Sequence, residues 1–69
     1  MNMARNHTTD FTAYSAVIVC ERAGCMWRCS ATARASAWLL YADHCRRAHA
    51  DDRSAADARK RASAPAHVS

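Results

Sequence analysis

Glycine and proline are almost absent from this 69-residue chain, which contains Gly24 and Pro65 as the single examples of each. Long helices are therefore permitted over most of the sequence, while a bend that needs a residue without a Cβ has only Gly24 to use. Large apolar side chains are also few, because seventeen residues are alanine, and nearly all the large ones lie between residues 11 and 41. A chain this small usually needs a disulfide, a metal ion or a partner in addition to its core.

Long hydrophobic runs are missing as well, and none approaches the length of a transmembrane helix. The mildly apolar residues 11–20 follow Asp10, are interrupted by Thr12 and Ser15, and precede no small-residue cleavage site of an export signal. Since disulfides require an oxidising compartment, we expect a cytoplasmic protein without membrane association, whose four cysteines stay reduced. Reduced cysteines in a small domain are available as metal ligands.

Two cysteines and two histidines have the spacing of a metal site. Four residues separate Cys20 from Cys25, and four residues separate His44 from His49. Both intervals fall within the windows of tetrahedral zinc sites. Gly24 directly precedes the second thiol, where a knuckle turn needs a backbone that can point amide groups at the sulfurs. The sequence therefore predicts Zn²⁺ as cofactor, bound by Cys20, Cys25, His44 and His49.

The fourth ligand is open between His44 and Cys45. In a regular helix His44 and His49 diverge by about 140° around the axis, so both reach one ion only if the last turn unwinds or tightens. Cys45 and His49 are four positions apart and need no distortion. Cys29, and whichever of His44 and Cys45 does not bind the ion, are expected to be ordinary buried or half-buried residues.

Local patterns predict a hairpin followed by one long helix. Residues 11–20 are rich in aromatic and β-branched side chains, which is typical of a strand, and residues 26–30 are expected to return as a second strand. Residues 31–49 lack glycine and proline, so we expect a helix there, capped by Ser30 or Thr32. The predicted fold class is a small α+β, zinc-stabilised ββα finger, in which a hairpin with a zinc knuckle packs on a long C-terminal helix.

Both ends of the chain are predicted to lie outside this finger, which spans residues 11–49. Residues 1–10 are polar and lack periodicity, which indicates a disordered N-terminus with a solvated imidazole at His7. Residues 50–69 contain hardly any large apolar side chain. They are therefore expected to form an intermittent helix to about residue 62, which either extends the preceding helix or frays, and then a disordered tail that contains the helix-ending Pro65.

The hairpin, knuckle, helix and terminal imidazoles together resemble a C2H2 zinc finger. More narrowly, the chain is similar to small zinc-finger-like proteins of GC-rich bacteria and their phages, in which Cys-x4-Cys-x-Trp precedes an alanine-rich helix that carries a Trp and ends in His-x4-His. The matching residues are Cys20, Cys25, Trp27, Trp38, His44 and His49. Eighteen residues separate the second Cys from the first His, against twelve in common fingers. The helix can absorb the difference as about one and two-thirds turns.

A net charge of +4 favours an anionic partner such as DNA or RNA. Alignment on the first His places Ala37, Leu40 and Asp43 at the base-reading positions of common fingers. None of them makes bidentate contacts to purines, so sequence-specific reading is not expected. We expect an accessory or regulatory protein that contacts phosphates through basic residues, with the candidates Arg28, Arg34, Arg46, Arg47 and Arg53.

Two further features bear on function. Arg46, Arg53 and Lys60 recur every seventh residue, so a continuing helix would place them on one face. At helical spacing, one stripe of the predicted helix consists of Trp38, Tyr41, Cys45 and Ala48. Leu39 and Leu40 point away from the centre of that stripe, which favours the alternative of a protein–protein interaction module. No oxyanion-hole glycines or room for a substrate cleft accompany the cysteines and histidines, so an enzyme is not expected.

Overall fold

The computed structural model describes residues 7–64, which form a three-stranded antiparallel sheet and two helices. The strands are β1 (His7–Phe11), β2 (Ala16–Cys20) and β3 (Arg28–Ala31), and the helices are α1 (Arg34–His49) and α2 (Asp52–Ser63). β2 lies in the centre of the sheet and pairs with both other strands. The predicted small α+β fold is confirmed, with one strand and one helix more than the sequence indicated.

The additional strand, β1, includes residues that were expected to be disordered. All five of its residues pair with β2, so the prediction of a disordered end is wrong for residues 7–10. Nor is His7 a solvated imidazole, because its ring centroid lies 5.3 Å from that of Trp38 and 5.0 Å from that of Tyr41. The sequence of β1 is polar, so it lacks the apolar pattern from which a strand is predicted. The apolar side chains of this hairpin lie mainly on its partner, β2. Residues 1–6 lie outside the described part of the chain.

The single strand predicted over residues 11–20 is divided by a tight turn at residues 12–15. The Thr12 hydroxyl oxygen accepts hydrogen bonds from the backbone N–H groups of Tyr14 (3.2 Å) and Ser15 (3.0 Å). A threonine side chain that satisfies backbone donors in this way competes with a continuous strand. The turn therefore converts one predicted strand into the β1–β2 hairpin.

The start of α1 also differs from the prediction. Its N-cap is Ala33, which makes no side-chain hydrogen bond, so neither Ser30 nor Thr32 caps the helix. Ser30 belongs to β3, which pairs with β2 as far as Ala31. Because the chain stays in the sheet up to that residue, Ser30 cannot cap the helix, and the N-cap falls one residue after Thr32.

The core lies between β2, α1 and α2. Inward-facing residues alternate along β2, and the buried residues of α1 recur at helical spacing, as expected for a sheet face covered by an amphipathic helix. Half of the buried hydrophobic residues are alanines: the set is Ala16, Ile18, Cys20, Ala37, Trp38, Tyr41, Ala42, Cys45, Ala55 and Ala58. Such side chains let the elements approach closely but contribute little apolar volume.

Residues 52–63 are helical, as predicted for this extension, but they do not continue α1, because that helix breaks directly after His49. Ala50 adopts a left-handed conformation with a φ of 50° and a ψ of 37°. Asp51 then caps a new helix, since its side chain accepts a 2.9 Å hydrogen bond from the backbone N–H of Ser54. Asp51 is a favoured N-cap residue and was visible in the sequence. The helical propensity of the residues on both sides made a continuous helix the simpler prediction.

The second helix, α2, packs against α1 through Ala55 and Ala58, which are 0% and 1% exposed. A segment without large apolar side chains can still bury one face, because two alanines suffice for close contact between helices. Residues 65–69 of the predicted tail lie outside the described residues. Within residues 7–64, no helix is long and apolar enough to cross a bilayer.

The left-handed residue at the helix break gives a test of this fold. Ala50→Gly should raise the free energy of unfolding by roughly 1 kcal/mol, because glycine lacks the Cβ that is strained at a positive φ. Ala56, exposed within α2, supplies the matched control: Ala56→Gly should lower it by roughly 0.5–1 kcal/mol. Urea unfolding followed by circular dichroism measures both. Equal losses in the two variants would contradict the break at Ala50.

Candidate metal centre

Four potential ligands converge at one end of the molecule. Cys20 ends β2, Cys25 lies in the loop before β3, and His44 and His49 come from the last turns of α1. Their ligand atoms all lie within 4.8 Å of one another. The four side chains singled out by their spacing in the sequence are therefore brought together by the fold.

The loop from Cys20 to Trp27 forms the predicted knuckle. The backbone N–H of Cys25 donates to the carbonyl of Arg22 at 2.9 Å, and that of Cys20 donates to the carbonyl of Trp27 at 3.0 Å. Gly24 has a φ of 78°, in the left-handed region, and a Cβ there would meet nothing within 4 Å. The glycine is thus required by backbone conformation and not by space, and the turn it permits points the second thiol back at the first.

The last turn of α1 is unwound. This brings together His44 and His49, which a regular helix would place about 140° apart around its axis. The carbonyl of Cys45 accepts from the backbone N–H groups of both Ala50 and Asp51. These bonds span five and six residues instead of four, so the last turn is wider than a regular α-helical turn. A wider turn rotates each residue by less than 100°. As a result the two Nε2 atoms lie 3.2 Å apart.

Three of the distances between ligand atoms match the edges of a coordination tetrahedron, and all of them are at most 4.8 Å. With bond lengths of about 2.3 Å to sulfur and about 2.05 Å to nitrogen, these edges are about 3.3 Å between nitrogens and about 3.6 Å between sulfur and nitrogen. The observed nitrogen–nitrogen distance is 3.2 Å. The sulfur–nitrogen distances are 3.3 Å for Cys25–His44 and 3.5 Å for Cys20–His49. The cluster can hold one tetrahedral ion and is compatible with zinc.

The pKa values of two ligands are shifted from their ordinary values, with consequences for metal binding. Burial, followed by the charges of His49 and Arg22, lowers the pKa of His44, which keeps its imidazole neutral and able to bind a metal. Burial raises the pKa of the Cys20 thiol, although a backbone hydrogen bond from Arg22 opposes this effect. A buried thiolate is thus unfavourable by itself, whereas a divalent cation next to it reverses the balance and removes the proton.

Trp27 fixes the orientation of one ligand. Its ring stacks on the imidazole of His44, with centroids 4.3 Å apart and planes 8° from parallel. We infer that this contact limits rotation of the imidazole, as groups around metal ligands commonly do. Trp27 is half-buried, and it packs both against the core and directly on a ligand. Its position two residues after the second cysteine was the available signal.

Arg22 links the knuckle to the start of α2, a contact that no spacing in the sequence indicates. Its guanidinium donates to the Asp51 carboxylate at 2.7 Å and to the Ser54 hydroxyl at 3.3 Å. Hydrogen bonds from Ser54 and then from Arg22 hold the pKa of Asp51 well below its usual range. The knuckle is thereby tied to the residue that caps α2, and 29 positions of sequence separate the two partners.

The two other cysteines lie outside the cluster formed by the described residues. Cys45 is 0% exposed and belongs to the core, so the alternative in which it replaces His44 is not the arrangement observed. Cys29 is half-buried in β3, and its thiol lies 3.8 Å from the carbonyl oxygen of Ala37. Both are ordinary buried or half-buried residues, as expected.

The predicted phosphate-binding arginines are dispersed over the surface. Arg28 is exposed on β3, and the guanidinium of Arg34 lies 5.6 Å from the centroid of the Phe11 ring. Arg46 and Arg47 both pair with Asp43, at 3.3 Å and 2.9 Å.

The last candidate, Arg53, is exposed in the first turn of α2. Because the helix breaks at Ala50, Arg46 does not share one continuous helix with Arg53 and Lys60. The expectation of a single basic face on one long helix is therefore wrong.

A scan against protein-family models and searches of curated proteins and of solved structures find no match for this chain. The similarity to the small zinc-finger-like proteins of GC-rich bacteria and their phages thus remains a prediction from the motif.

Substitution of the cysteines and histidines tests the ligand set. Cys25→Ser and His44→Ala should each lower metal affinity by at least about 100-fold, because each removes a ligand. Cys45→Ala should keep the metal and cost about 1–2 kcal/mol of stability through the cavity it leaves. Competition with a chromophoric chelator measures the affinities. Cys29→Ser is the control and should be mild. Loss of metal in Cys45→Ala, or equal damage from Cys29→Ser and Cys25→Ser, would overturn the assignment.

Proposed function

We propose that this chain is a small, non-enzymatic zinc-binding protein in which Zn²⁺ holds the fold together. The observation that carries the proposal is the convergence of two thiols and two imidazoles, whose ligand atoms all lie within 4.8 Å of one another. Two sulfur and two nitrogen ligands in tetrahedral geometry suit zinc among the common divalent metals. Four protein ligands leave no open position for water or substrate, so the metal acts structurally and not as a catalyst.

We further propose that the protein contacts nucleic acid through phosphates and not through base edges. The net charge of +4 supports an anionic partner. Among the described residues, several exposed basic side chains form no ion pair: Arg28, Arg53, Arg59 and Lys60. Ala37 is 0% exposed, so one of the three base-reading positions of common fingers is turned into the core. Sequence-indifferent binding follows from contacts of this kind.

Protein binding is the second candidate, and one observation favours it. Leu39 and Leu40 are 51% and 47% exposed, side by side on α1. A pair of adjacent exposed leucines provides a small apolar patch of the kind that partners cover. In that case the protein is an interaction module whose zinc site only maintains the helix.

The salt dependence of duplex-DNA binding distinguishes the two candidates. With three to six basic residues engaged, log Kobs against log salt should have a slope of roughly −3 to −5, from about −0.9 per phosphate contact. Arg28→Ala and Arg53→Ala should each flatten the slope by about one unit without unfolding the domain. Fluorescence anisotropy with duplexes of unrelated sequence measures the affinity.

Leu39→Ser and Leu40→Ser are the controls for that experiment. They should leave the slope unchanged if the protein binds phosphates, and should abolish recovery of a partner in a pull-down if it binds protein. A slope near zero between roughly 50 and 200 mM salt would remove nucleic acid from consideration.

A further inference from the structure

The outward face of α2 combines basic side chains with small ones. Ala55 and Ala58 are buried against α1, and the residues on the other side of the helix are exposed. Three exposed basic residues of α2 form no ion pair among the described residues: Arg53, Arg59 and Lys60. The exposed residues near them include Ala56 and Ser63, and α2 contains no large apolar side chain. This face is therefore a strip of cations on a narrow helix.

Ala56 lies in the middle of these three cations. At 100° per residue, Arg59 projects about 60° to one side of it, whereas Lys60 and Arg53 project about 40° and about 60° to the other side. Arg53 and Lys60 are seven positions apart, which corresponds to about 10.5 Å along the helix axis. The cations thus flank a line along the helix that is occupied by an alanine.

Little negative charge on α2 opposes these cations. The Asp57 carboxylate accepts a 3.1 Å hydrogen bond from the Nε of Arg61, so its charge is compensated. Asp52, in the first turn, is the other carboxylate of the helix and pairs with no basic residue among those described. It lies about 40° from Ala56, on the same side as Arg59. One carboxylate therefore remains against three free cations.

The outward face of α1 lacks this combination. Its Leu39 and Leu40 are exposed, and Arg46 and Arg47 both pair with Asp43. Large apolar side chains widen the helix on that side, and a shared carboxylate reduces the positive charge that phosphates would meet. Of the two helices, α2 is thus the one suited to approach a polyanion closely.

A narrow helix with cations on both sides of a small residue fits the major groove of B-form DNA. That groove is about 12 Å wide and admits one α-helix, whose diameter with side chains is about 10–12 Å. With Ala56 towards the base edges, Arg59 faces one phosphate wall, and Lys60 and Arg53 face the other. Since the alanine side chain has no hydrogen-bonding group, it cannot read base edges by hydrogen bonds, which agrees with binding through phosphates.

We propose that α2 enters the major groove of duplex DNA, with Ala56 facing the bases and the three free cations on the phosphates. This mode of binding rests on the phosphate contact proposed above and specifies the helix and the nucleic acid involved. The major groove of A-form RNA is too deep and narrow for side chains to read, so an RNA duplex is not an equivalent partner.

A DNA duplex and the RNA duplex of the same sequence test the choice of groove. Both are titrated with the full-length, zinc-loaded protein at one salt concentration, and fluorescence anisotropy gives the affinities. The DNA duplex should bind at least about tenfold more tightly. Dimethyl sulfate then identifies the groove, because it methylates guanine N7 in the major groove and adenine N3 in the minor groove. The bound protein should protect guanine N7 and leave adenine N3 reactive.

Two charge-matched variants separate contact by α2 from a general charge effect. Ala56→Glu and Ser36→Glu each add one negative charge, at exposed positions of α2 and α1 respectively. Ala56→Glu should weaken DNA binding by at least about tenfold, because its carboxylate would face the groove, and Ser36→Glu by less than about twofold. Asp52→Asn removes the one opposing carboxylate and should strengthen binding. Circular dichroism confirms that each variant is folded.

The results distinguish failure of the groove contact from failure of the phosphate contact on which it rests. Absence of salt-dependent binding to either duplex would remove the phosphate contact itself and, with it, the role of α2. Salt-dependent binding that is equal for DNA and RNA, that protects adenine N3, or that responds equally to Ala56→Glu and Ser36→Glu would overturn only the assignment to α2 and the major groove. Tighter binding of single-stranded DNA than of the duplex would overturn that assignment as well.

Discussion

The convergence of four donor side chains on one point is the constraint on which the rest of this small structure depends. Cys20, Cys25, His44 and His49 come from a strand, a loop and the end of a helix. A metal bound there ties together elements that otherwise meet across a core in which half of the buried hydrophobic residues are alanine. Small domains with so little apolar volume are at the limit of what hydrophobic burial can stabilise. The alanines that weaken the core also allow the close approach that brings the donors together.

The helix break at Ala50 serves the metal centre and the second helix together. Unwinding of the last turn of α1 brings His49 next to His44, and the left-handed residue that follows turns the chain towards α2. Asp51 then caps α2 and pairs with Arg22 of the knuckle. Loss of the ion would therefore disturb more than the hairpin, because the same few residues position α2.

The features that the sequence predicted are those set by short-range spacing. The ligand group and the knuckle glycine Gly24 are local motifs, and the helical pattern of α1 follows from uninterrupted propensity. The features it did not predict depend on partners distant in the chain. β1 is a strand because β2 pairs with it, and Asp51 reaches Arg22 across 29 positions.

The sequence did not predict the packing of α2 against α1, for a related reason. A search for large apolar side chains finds none in α2, yet Ala55 and Ala58 bury it against α1. Periodic alanines indicate close packing between helices only when the partner surface is known, and here that surface was itself made of small residues. Alanine content alone is ambiguous because the same residue also favours isolated, solvated helices.

Removal and return of the metal is the measurement that tests this interpretation most directly. The purified chain is treated with excess chelator, metal loss is verified by elemental analysis, and amide chemical-shift dispersion and helical circular dichroism are recorded. Because the binding free energy of a structural metal is folding free energy, both signals should collapse. One equivalent of Zn²⁺ should restore them. A chain that keeps its dispersed spectrum after verified metal loss would contradict the claim that zinc holds this fold together.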